Sequence, residues 1–202
     1  MSAGLISEMI YQVYKSTTKQ KKESRLDLFH RVLFFPDKVV ACKAHFRGRD
    51  GCKNVNCHFS HSDTSLSELL KYITNAKRSL DVCVFSICCH ELADVLVESH
   101  ERGVIVRVVT DGEQTGATGS QIGKFRSKGI QVRHDNSSFL MHHKYVIIDG
   151  EILINGSFNW TRSAVTGNHE NVVITNNTEL LKPFEEEFEN LWELYEPSKH
   201  LK

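Results

Sequence analysis

Residues 142–159 read His-His-Lys-Tyr-Val-Ile-Ile-Asp-Gly-Glu-Ile-Leu-Ile-Asn-Gly-Ser-Phe-Asn. The apolar runs on either side of Gly150 predict two antiparallel strands joined by a tight turn. Side chains two positions apart on a strand share a face, so we expect His142 and Lys144 to lie side by side. The second strand runs back to the end at which the first strand begins.

The predicted hairpin gathers four kinds of polar group at one end of the sheet. The first strand begins with His142 and Lys144, and the second leads into Ser157 and Asn159. Lysine supplies positive charge, serine and asparagine supply hydrogen bonds, and histidine attacks electrophiles or transfers protons. This set suits a tetrahedral phosphate group. The adjacent His143 is expected to face the opposite side of the strand and is not predicted to be the nucleophile.

The polar residues form a pattern with fixed spacing, H-x-K-x4-D-x6-G-S-x-N, which also includes Asp149 and Gly156. At average residue frequencies, a chain of this length would contain the pattern by chance on the order of once in a million. We therefore interpret the pattern as a functional motif, and not as a solvated strand end with incidental polar residues.

Strands and helices alternate along the rest of the chain after residue 64. Continuous apolar runs predict buried strands, and apolar residues at helical spacing predict helices. Ser65 and Glu68 are predicted to form a capping box at one helix start. The predicted fold class is α/β, a mixed β-sheet flanked by helices. The predicted helices span 65–79, 90–102, 120–128 and a final apolar-faced stretch around 184–195, and the predicted strands span 80–88, 104–110, 130–133, 145–149, 151–155 and 171–175.

Composition excludes several classes of protein. Apolar residues make up 40% of the 202 residues and charged residues 25%, which is typical of a soluble globular chain and not of a collagen-like or disordered one. Lysine and arginine balance aspartate and glutamate, which excludes a uniformly basic nucleic-acid-binding protein. The charge is unevenly placed, because basic residues dominate between 15 and 53 and acidic residues dominate after 178.

Cysteine and histidine residues cluster in a segment with little periodicity, 38–63, which we interpret as a small inserted module. Three thiolates and one imidazole make a closed tetrahedral site for a structural Zn²⁺ ion, which we predict as the cofactor. His45 and His58 are competing ligands, and unligated surface thiols are the alternative reading. The predicted ligands, spaced C-x9-C-x4-C-x3-H, are Cys42, Cys52, Cys57 and His61.

The module also carries basic and aromatic side chains, which suit the phosphates and bases of a single-stranded nucleic acid. A solvated zinc knuckle explains the same residues equally well. These residues are Arg47, Arg49, Lys53 and Phe59. The three remaining cysteines lie in or beside a predicted buried strand and are expected to be small core residues: Cys83, Cys88 and Cys89.

Residues 1–37 are interpreted as an N-terminal amphipathic and basic segment. Its apolar stripe between Leu5 and Tyr14 indicates a helix that either packs on the domain or binds an anionic membrane surface peripherally. The segment contains Glu8 and several lysines, which makes it too polar for a membrane span of about 20 residues. It also lacks the pattern of a signal peptide, so we expect an intracellular protein without disulfides.

The motif around His142 is the signature of the phospholipase D superfamily, which residues 64–202 resemble. Within the superfamily, the chain is similar to the zucchini-type proteins, also called mitochondrial cardiolipin hydrolase. The resemblance implies a phospholipase D-like catalytic domain at 64–202 and an atypical zinc finger at 38–63. The stretches that carry the closer resemblance are 32–36, 119–123, 129–135, 141–144 and 156–161.

The resemblance also implies roles for the individual residues. His142 is the expected nucleophile and forms a phosphohistidine intermediate, Lys144 and Asn159 bind the phosphate, and Ser157 supports them. A downstream glutamate orients the nucleophilic imidazole in this family, and Glu170 occupies the corresponding place.

Asp149 belongs to the catalytic motif but is expected to fix local structure and not to touch substrate.

The chain has one copy of the motif, whereas displacement at phosphorus needs a second group that protonates the leaving oxygen. The family meets this need with a symmetric homodimer that shares one active site. No catalytic metal is expected, because two copies of Lys144 neutralise the phosphate oxygens.

The sequence is compatible with three functions. The resemblance implies a single-strand-specific endoribonuclease in the biogenesis of PIWI-interacting RNA, which we favour, or a hydrolase of the anionic phospholipid cardiolipin that produces phosphatidic acid. The third is a zinc-dependent RNA-binding scaffold with vestigial catalytic residues. A lipid enzyme would expose apolar loops, for which the stretch Phe139-Leu140-Met141 is the candidate. The family is held on the mitochondrial outer membrane by a spanning helix, which this sequence does not show.

Overall fold

The computed structural model describes residues 27–47 and 50–197. The strands are β1 (His30–Phe35), β2 (Ser79–Val84), β3 (Ile105–Thr110), β4 (Gln131–His134), β5 (Lys144–Ile148), β6 (Ile152–Gly156) and β7 (Glu170–Thr175). They form one seven-stranded sheet in the order β1-β7-β6-β5-β2-β3-β4. Strands β2, β3 and β4 run parallel, and β5, β6, β7 and β1 follow in alternating directions. The predicted mixed sheet is confirmed.

Helices cover both faces of this sheet. They are α1 (Lys43–Arg47), α2 (Ser65–Thr74), α3 (His90–Glu101), α4 (Ile122–Ser127), α5 (Arg162–Thr166) and α6 (Thr178–Leu194). Buried side chains of α2, α3, α4 and α5 belong to the larger core on one face, and those of α6 belong to a second core on the other face. Strands β2 and β3 have apolar side chains in both cores, which explains their nearly continuous apolar sequences.

The strand ends lie at two opposite edges of the sheet. Strands β2 and β6 end at the edge where β5 and β7 begin, and we call it the motif edge. The opposite edge holds the turn of the β5–β6 hairpin. There the N–H of Glu151 donates to the carbonyl oxygen of Ile148 at 2.9 Å. Asp149 and Gly150 have φ angles of 58° and 64°, a left-handed conformation that favours aspartate and glycine.

Helix α2 differs from its prediction at both ends. The capping pair is Thr64 and Ser67, not Ser65 and Glu68: the hydroxyl of Thr64 accepts from the N–H of Ser67, and the hydroxyl of Ser67 accepts from the N–H of Thr64. The helix ends at Thr74, not at 79. The chain cannot continue as a helix there because the N–H groups at 77 and 78 donate to a carboxylate on the hairpin turn.

Strand β1 was not predicted as a strand. It pairs antiparallel with β7, so the sheet includes residues that precede the module. Leu33 and Phe35 are buried in the larger core, whereas Val32 and Phe34 on the other face are exposed. Because β1 is largely apolar, its sequence does not show which side chains face the core. The strand becomes recognisable only when its pairing with β7 is known. The other predicted strands agree with the observed ones to within a few residues.

The predicted amphipathic helix near the N-terminus lies outside the described residues. Within the described ranges, the structure contains no helix that is both long enough and apolar enough to cross a membrane. Two of the cysteines expected in the core, Cys83 and Cys89, are buried, and Cys88 is partly buried.

Candidate active site

His142 lies at the motif edge, immediately before β5, and its side chain is exposed. Its imidazole packs edge-on against the ring of Phe85, with 4.8 Å between the ring centroids. Phe85 follows the last residue of β2, the neighbour of β5, and its N–H donates to the carbonyl oxygen of His143 at 2.8 Å. The backbone and the aromatic ring together hold the imidazole at the open end of the sheet.

Lys144 lies beside His142 on the same aromatic ring. Its Nζ is 5.3 Å from the centroid of Phe85, and it donates to the carbonyl oxygen of His142 at 2.8 Å. Partial burial lowers the pKa of Lys144, and the negative charge of Glu170 opposes this effect. A desolvated ammonium group attracts an anion more strongly than a hydrated one, so Lys144 is suited to binding a phosphate oxygen.

His143 points toward the other face of the sheet. Its Nε2 lies 3.4 Å from a carboxylate oxygen of Glu187 on α6, and its ring lies 5.5 Å from that of Tyr145, a buried residue of the second core. The structure therefore separates the adjacent imidazoles: one faces Phe85 and the other faces α6. The expected opposite orientation of His143 is confirmed.

Ser157 and Glu170 form a hydrogen-bonded pair between β6 and β7. The Ser157 hydroxyl donates to one oxygen of Glu170 and accepts from the N–H of Asn171 at 3.1 Å. The other carboxylate oxygen accepts from the side-chain amide of Asn168 at 3.0 Å. Gly156 is required beside this pair, because a Cβ there would collide with the carbonyl oxygen of Asn171. Within the described chain, both hydrogen bonds of the Glu170 carboxylate go to these two side chains and not to His142.

Asn159 is held against the segment that follows β2. The next residue, Trp160, donates its N–H to Ser86 at 3.0 Å and accepts the N–H of Cys88 at 2.7 Å. The side-chain Oδ1 of Asn159 is buried and has no hydrogen-bond partner among the described residues. An unpaired buried acceptor is costly, so Oδ1 would take a hydrogen bond from a donor, whereas the Nδ2 group of the same amide is the donor that suits a phosphate oxygen.

Asp149 is the one polar member of the motif that lies far from this cluster, at the turn on the opposite edge. Its carboxylate accepts hydrogen bonds from the N–H groups of Lys77, Arg78 and Ser79 at 2.6–3.1 Å. It thereby fastens the hairpin turn to the start of β2. The structure gives Asp149 a fold-stabilising position and does not bring it to the polar groups around His142.

We predict that Asp149→Ala destabilises the fold by about 2–3 kcal/mol, because it removes the charged acceptor and places alanine in a left-handed conformation. Burial raises the pKa of Asp149, but the N–H groups of Ser79, Lys77 and Arg78 outweigh it, so the pKa is lowered overall. The carboxylate therefore stabilises the fold above its unfolded pKa of about 3.9, and the stabilisation is lost as pH falls through the lower folded value.

Urea unfolding as a function of pH tests this prediction. Asp149→Asn is the matched control, because asparagine tolerates the left-handed conformation but lacks the charge. The stability difference between the wild type and Asp149→Asn should shrink as the solution is acidified below about pH 4. Turnover per folded molecule should change little in either variant. A large loss of turnover in a fully folded Asp149→Asn protein would contradict the structural role.

Comparison with known proteins identifies the family to which this chain belongs. Residues 69–192, more than half of the chain, match the family described as "Cardiolipin synthase, PLD-like domain". The chain belongs to the phospholipase D superfamily. It is 47% identical over 163 residues to mitochondrial cardiolipin hydrolase of Chlamydomonas reinhardtii, and the aligned region covers 81% of this chain and 73% of that protein. The Danio rerio protein of the same name is 45% identical over 183 residues, and the aligned region covers 90% of this chain and 80% of that protein.

A solved structure of the superfamily has the same fold. The crystal structure of Nuc, a phospholipase D family member from Salmonella typhimurium, superposes with a TM-score of 0.64 and is 25% identical in sequence. The match covers 83% of this chain and 95% of Nuc. The protein is therefore a phosphodiesterase of the phospholipase D superfamily, of the type that includes the zucchini-like mitochondrial cardiolipin hydrolases.

Phe85 is a site residue of this phospholipase D-type enzyme that the sequence did not reveal. Its ring contacts the imidazole of His142 and lies under the ammonium group of Lys144. The sequence shows it only as one apolar residue in a predicted strand. Its role depends on the pairing of β2 with β5, which places residue 85 next to residue 143 although the two are far apart in sequence. No local pattern carries that information.

The cysteine and histidine module forms a compact cluster in this enzyme. Its four predicted ligand atoms all lie within 4.8 Å of one another. The Sγ atoms of Cys42 and Cys57 are 3.7 Å apart, which is too long for a disulfide but close to the roughly 3.8 Å between two thiolates on one tetrahedral zinc ion. The donors therefore fit a structural Zn²⁺ ion, which would cross-link the ends of the module.

The competing ligands lie outside this set of four. The ring of His45 stacks on that of His61 with 4.6 Å between centroids, and the side chain of His58 is exposed. Of the residues expected to serve a nucleic acid, Lys53 and Phe59 are exposed, whereas Arg49 lies outside the described residues.

We predict that chelation of zinc loosens residues 42–61 but leaves hydrolysis of a small soluble phosphodiester intact, because the cluster lies outside the groups around His142. Hydrogen exchange of the module and turnover of bis(4-nitrophenyl) phosphate are the two measurements. Cys57→Ser should reproduce the effect of chelation, whereas the neighbouring His58→Ala should not. A rapid and complete loss of turnover that magnesium restores would refute the prediction.

Proposed function

We propose that this protein hydrolyses phosphodiesters through a covalent intermediate on His142. The observation that carries the proposal is the pairing of an exposed imidazole with a partly desolvated ammonium group on one aromatic ring. A ring nitrogen of His142 bonds to phosphorus while the bond from phosphorus to the leaving oxygen breaks. The Lys144 ammonium and the Nδ2 group of Asn159 donate hydrogen bonds to the non-bridging oxygens, where negative charge accumulates.

The leaving oxygen needs a proton, and we assign it to a second copy of His142. The motif occurs once in the chain, so the second imidazole comes from another subunit related by a two-fold axis. In the second step the same imidazole takes a proton from water, whose oxygen displaces His142 from phosphorus. The cycle consumes one water molecule and regenerates both imidazoles, and the Lys144 ammonium groups balance the phosphate charge without a catalytic metal.

The Ser157–Glu170 pair has a supporting role in this proposal. Its hydrogen bonds join β6 and β7 at the motif edge, and the negative charge of its carboxylate offsets part of the lowering of the Lys144 pKa by burial. Orientation of His142 by Glu170, as the family pattern implies, would require the carboxylate to turn from its present partners Ser157 and Asn168.

The substrate that we propose is single-stranded RNA, cleaved as in the production of precursors of PIWI-interacting RNA. The module follows β1, whose last residue Phe35 pairs with Glu170 at the motif edge, and it leads into α2, where the Ser65 hydroxyl donates to the carbonyl oxygen of Phe34. In this proposal a strand bound at His142 extends over the module, where the exposed ring of Phe59 offers a surface for stacking a base. Double-stranded RNA cannot present its bases in this way.

Cardiolipin is the second candidate substrate. It is favoured by the curated relatives, which are named mitochondrial cardiolipin hydrolase and match most of this chain. Hydrolysis of cardiolipin at the same site would release phosphatidic acid, and the chemistry at phosphorus would be unchanged. A mitochondrial location, at the surface of the outer membrane, goes with either substrate under this proposal.

One preparation of the full chain, assayed on three substrates, decides between the candidates. We expect cleavage of labelled single-stranded RNA, little cleavage of the same RNA as a duplex, and slow or no hydrolysis of cardiolipin vesicles. Phe59→Ala should slow RNA cleavage but not turnover of bis(4-nitrophenyl) phosphate, and Val55→Ala, at an exposed position of the same module, is the matched control. Faster hydrolysis of cardiolipin than of RNA would reverse the assignment.

A further inference from the structure

The loop that leads into His142 exposes two large apolar side chains. Phe139 is 83% exposed and Leu140 is 56% exposed, and they lie three and two positions, respectively, before His142. Scattered single apolar residues are common on protein surfaces, but two adjacent ones at the mouth of an active site are not. We refer to this pair as the apolar tip.

The exposure of the apolar tip is fixed by buried anchors on both sides. The carboxylate of Asp135, 4% exposed, accepts hydrogen bonds from the N–H groups of Gly112 and Ser137. On the other side, the N–H of Met141 donates to the buried Asp111 at 3.2 Å, and the Met141 side chain packs in the second core. The chain between the anchors has little freedom to fold the tip inward.

The composition of the loop favours a lipid partner. Residues 136–141 carry no charged side chain, so the tip offers nothing to pair with the phosphates of a nucleic acid. An aromatic and an aliphatic side chain together on an uncharged loop instead match the boundary between lipid head groups and acyl chains. The position next to His142 would bring the motif edge close to the bilayer surface.

We propose that Phe139 and Leu140 insert into a lipid bilayer and dock the motif edge on its surface. This inference does not depend on whether the site cleaves RNA or cardiolipin. If the substrate is RNA, the enzyme acts at the membrane surface. If the substrate is cardiolipin, the membrane also supplies the substrate. The tip would hold the enzyme peripherally, because two side chains bury far less apolar surface than a spanning helix.

Sedimentation of the full chain with phosphatidylcholine vesicles, with and without cardiolipin, tests the proposal. We expect Phe139→Ser and Leu140→Ser each to lower the vesicle partition coefficient by roughly ten-fold, as the loss of one buried apolar side chain predicts. Ile105→Thr is the matched control, because Ile105 is 64% exposed at the opposite edge of the sheet. It should bind like the wild type. All variants should retain turnover of bis(4-nitrophenyl) phosphate.

A second variant reports insertion directly. Phe139→Trp should keep vesicle binding, and its fluorescence should be quenched by lipids brominated on the acyl chains. The native Trp160 and Trp192 are buried and should be quenched little. Unchanged vesicle binding of the serine variants, or an unquenched tryptophan at 139, would overturn the proposal. Weaker binding of single-stranded RNA with unchanged vesicle binding would also overturn it and would assign the tip to RNA.

Discussion

Replacing His142 by alanine is expected to reduce phosphodiesterase turnover by roughly 10³-fold or more, because the proposed mechanism forms its covalent bond to phosphorus through this imidazole. The loss should appear in kcat on a small soluble phosphodiester as well as on the natural substrate. Binding of the phosphate should persist, because Lys144 and Asn159 remain. Acid-labile, base-stable phosphate trapped on the wild-type protein, and absent from His142→Ala, would identify the intermediate.

His143→Ala is the control for this experiment. The two histidines are adjacent, but His143 faces Glu187 on α6 at a solvent-exposed position. Exposed ion pairs of this kind contribute little to stability, so the variant should fold and retain most of its turnover. The opposite pattern, with His143→Ala inactive and His142→Ala active, would reject the assignment of the nucleophile.

The second large effect is expected in mixed pairs of subunits. If two copies of His142 share one active site, a pair with one wild-type and one His142→Ala subunit lacks either the nucleophile or the proton donor. Co-expression with two different affinity tags allows this pair to be purified. We expect its activity to lie roughly 10²-fold or more below that of the wild-type pair, because no complete site is present.

Independent sites predict a different result, about half of the wild-type activity for the same mixed pair. A mixed pair of wild-type and His143→Ala subunits serves as the control and should be nearly fully active. A mixture of His142→Ala with Lys144→Ala subunits should show no recovery, because the shared site would lack one imidazole and one ammonium group. A fully active monomer in sedimentation experiments would contradict the shared site.

The sequence predicts the β5–β6 hairpin well because two independent local signals agree there. Alternating and apolar residues define the strands, and Asp149-Gly150 supplies the left-handed turn. The same alternation correctly separates His142 from His143. Cysteine spacing likewise predicts the cluster at 42–61, because short loops bring those side chains together. In each case the deciding contacts lie close in sequence.

The features that sequence could not predict depend on contacts between distant segments. Strand β1 is recognisable only through its pairing with β7, and Phe85 becomes a site residue only because β2 and β5 are neighbours. Helix α2 stops early because of a carboxylate more than 70 positions later in the chain. The hydrogen bonds of Glu170 to Ser157 and Asn168 similarly required the arrangement of β6 beside β7.

The distant position of Asp149 has a consequence for the whole hairpin. A strand pairing that slips by one residue turns every side chain to the other face of the sheet. By fastening the turn to the start of β2, Asp149 sets the register of both strands from the far end. That register also determines on which side of the sheet the side chains of Lys144 and Ser157 lie at the motif edge. The aspartate of the motif therefore stabilises the one strand register in which groups that it never touches lie on the same side, and it has no part in turnover once the chain has folded.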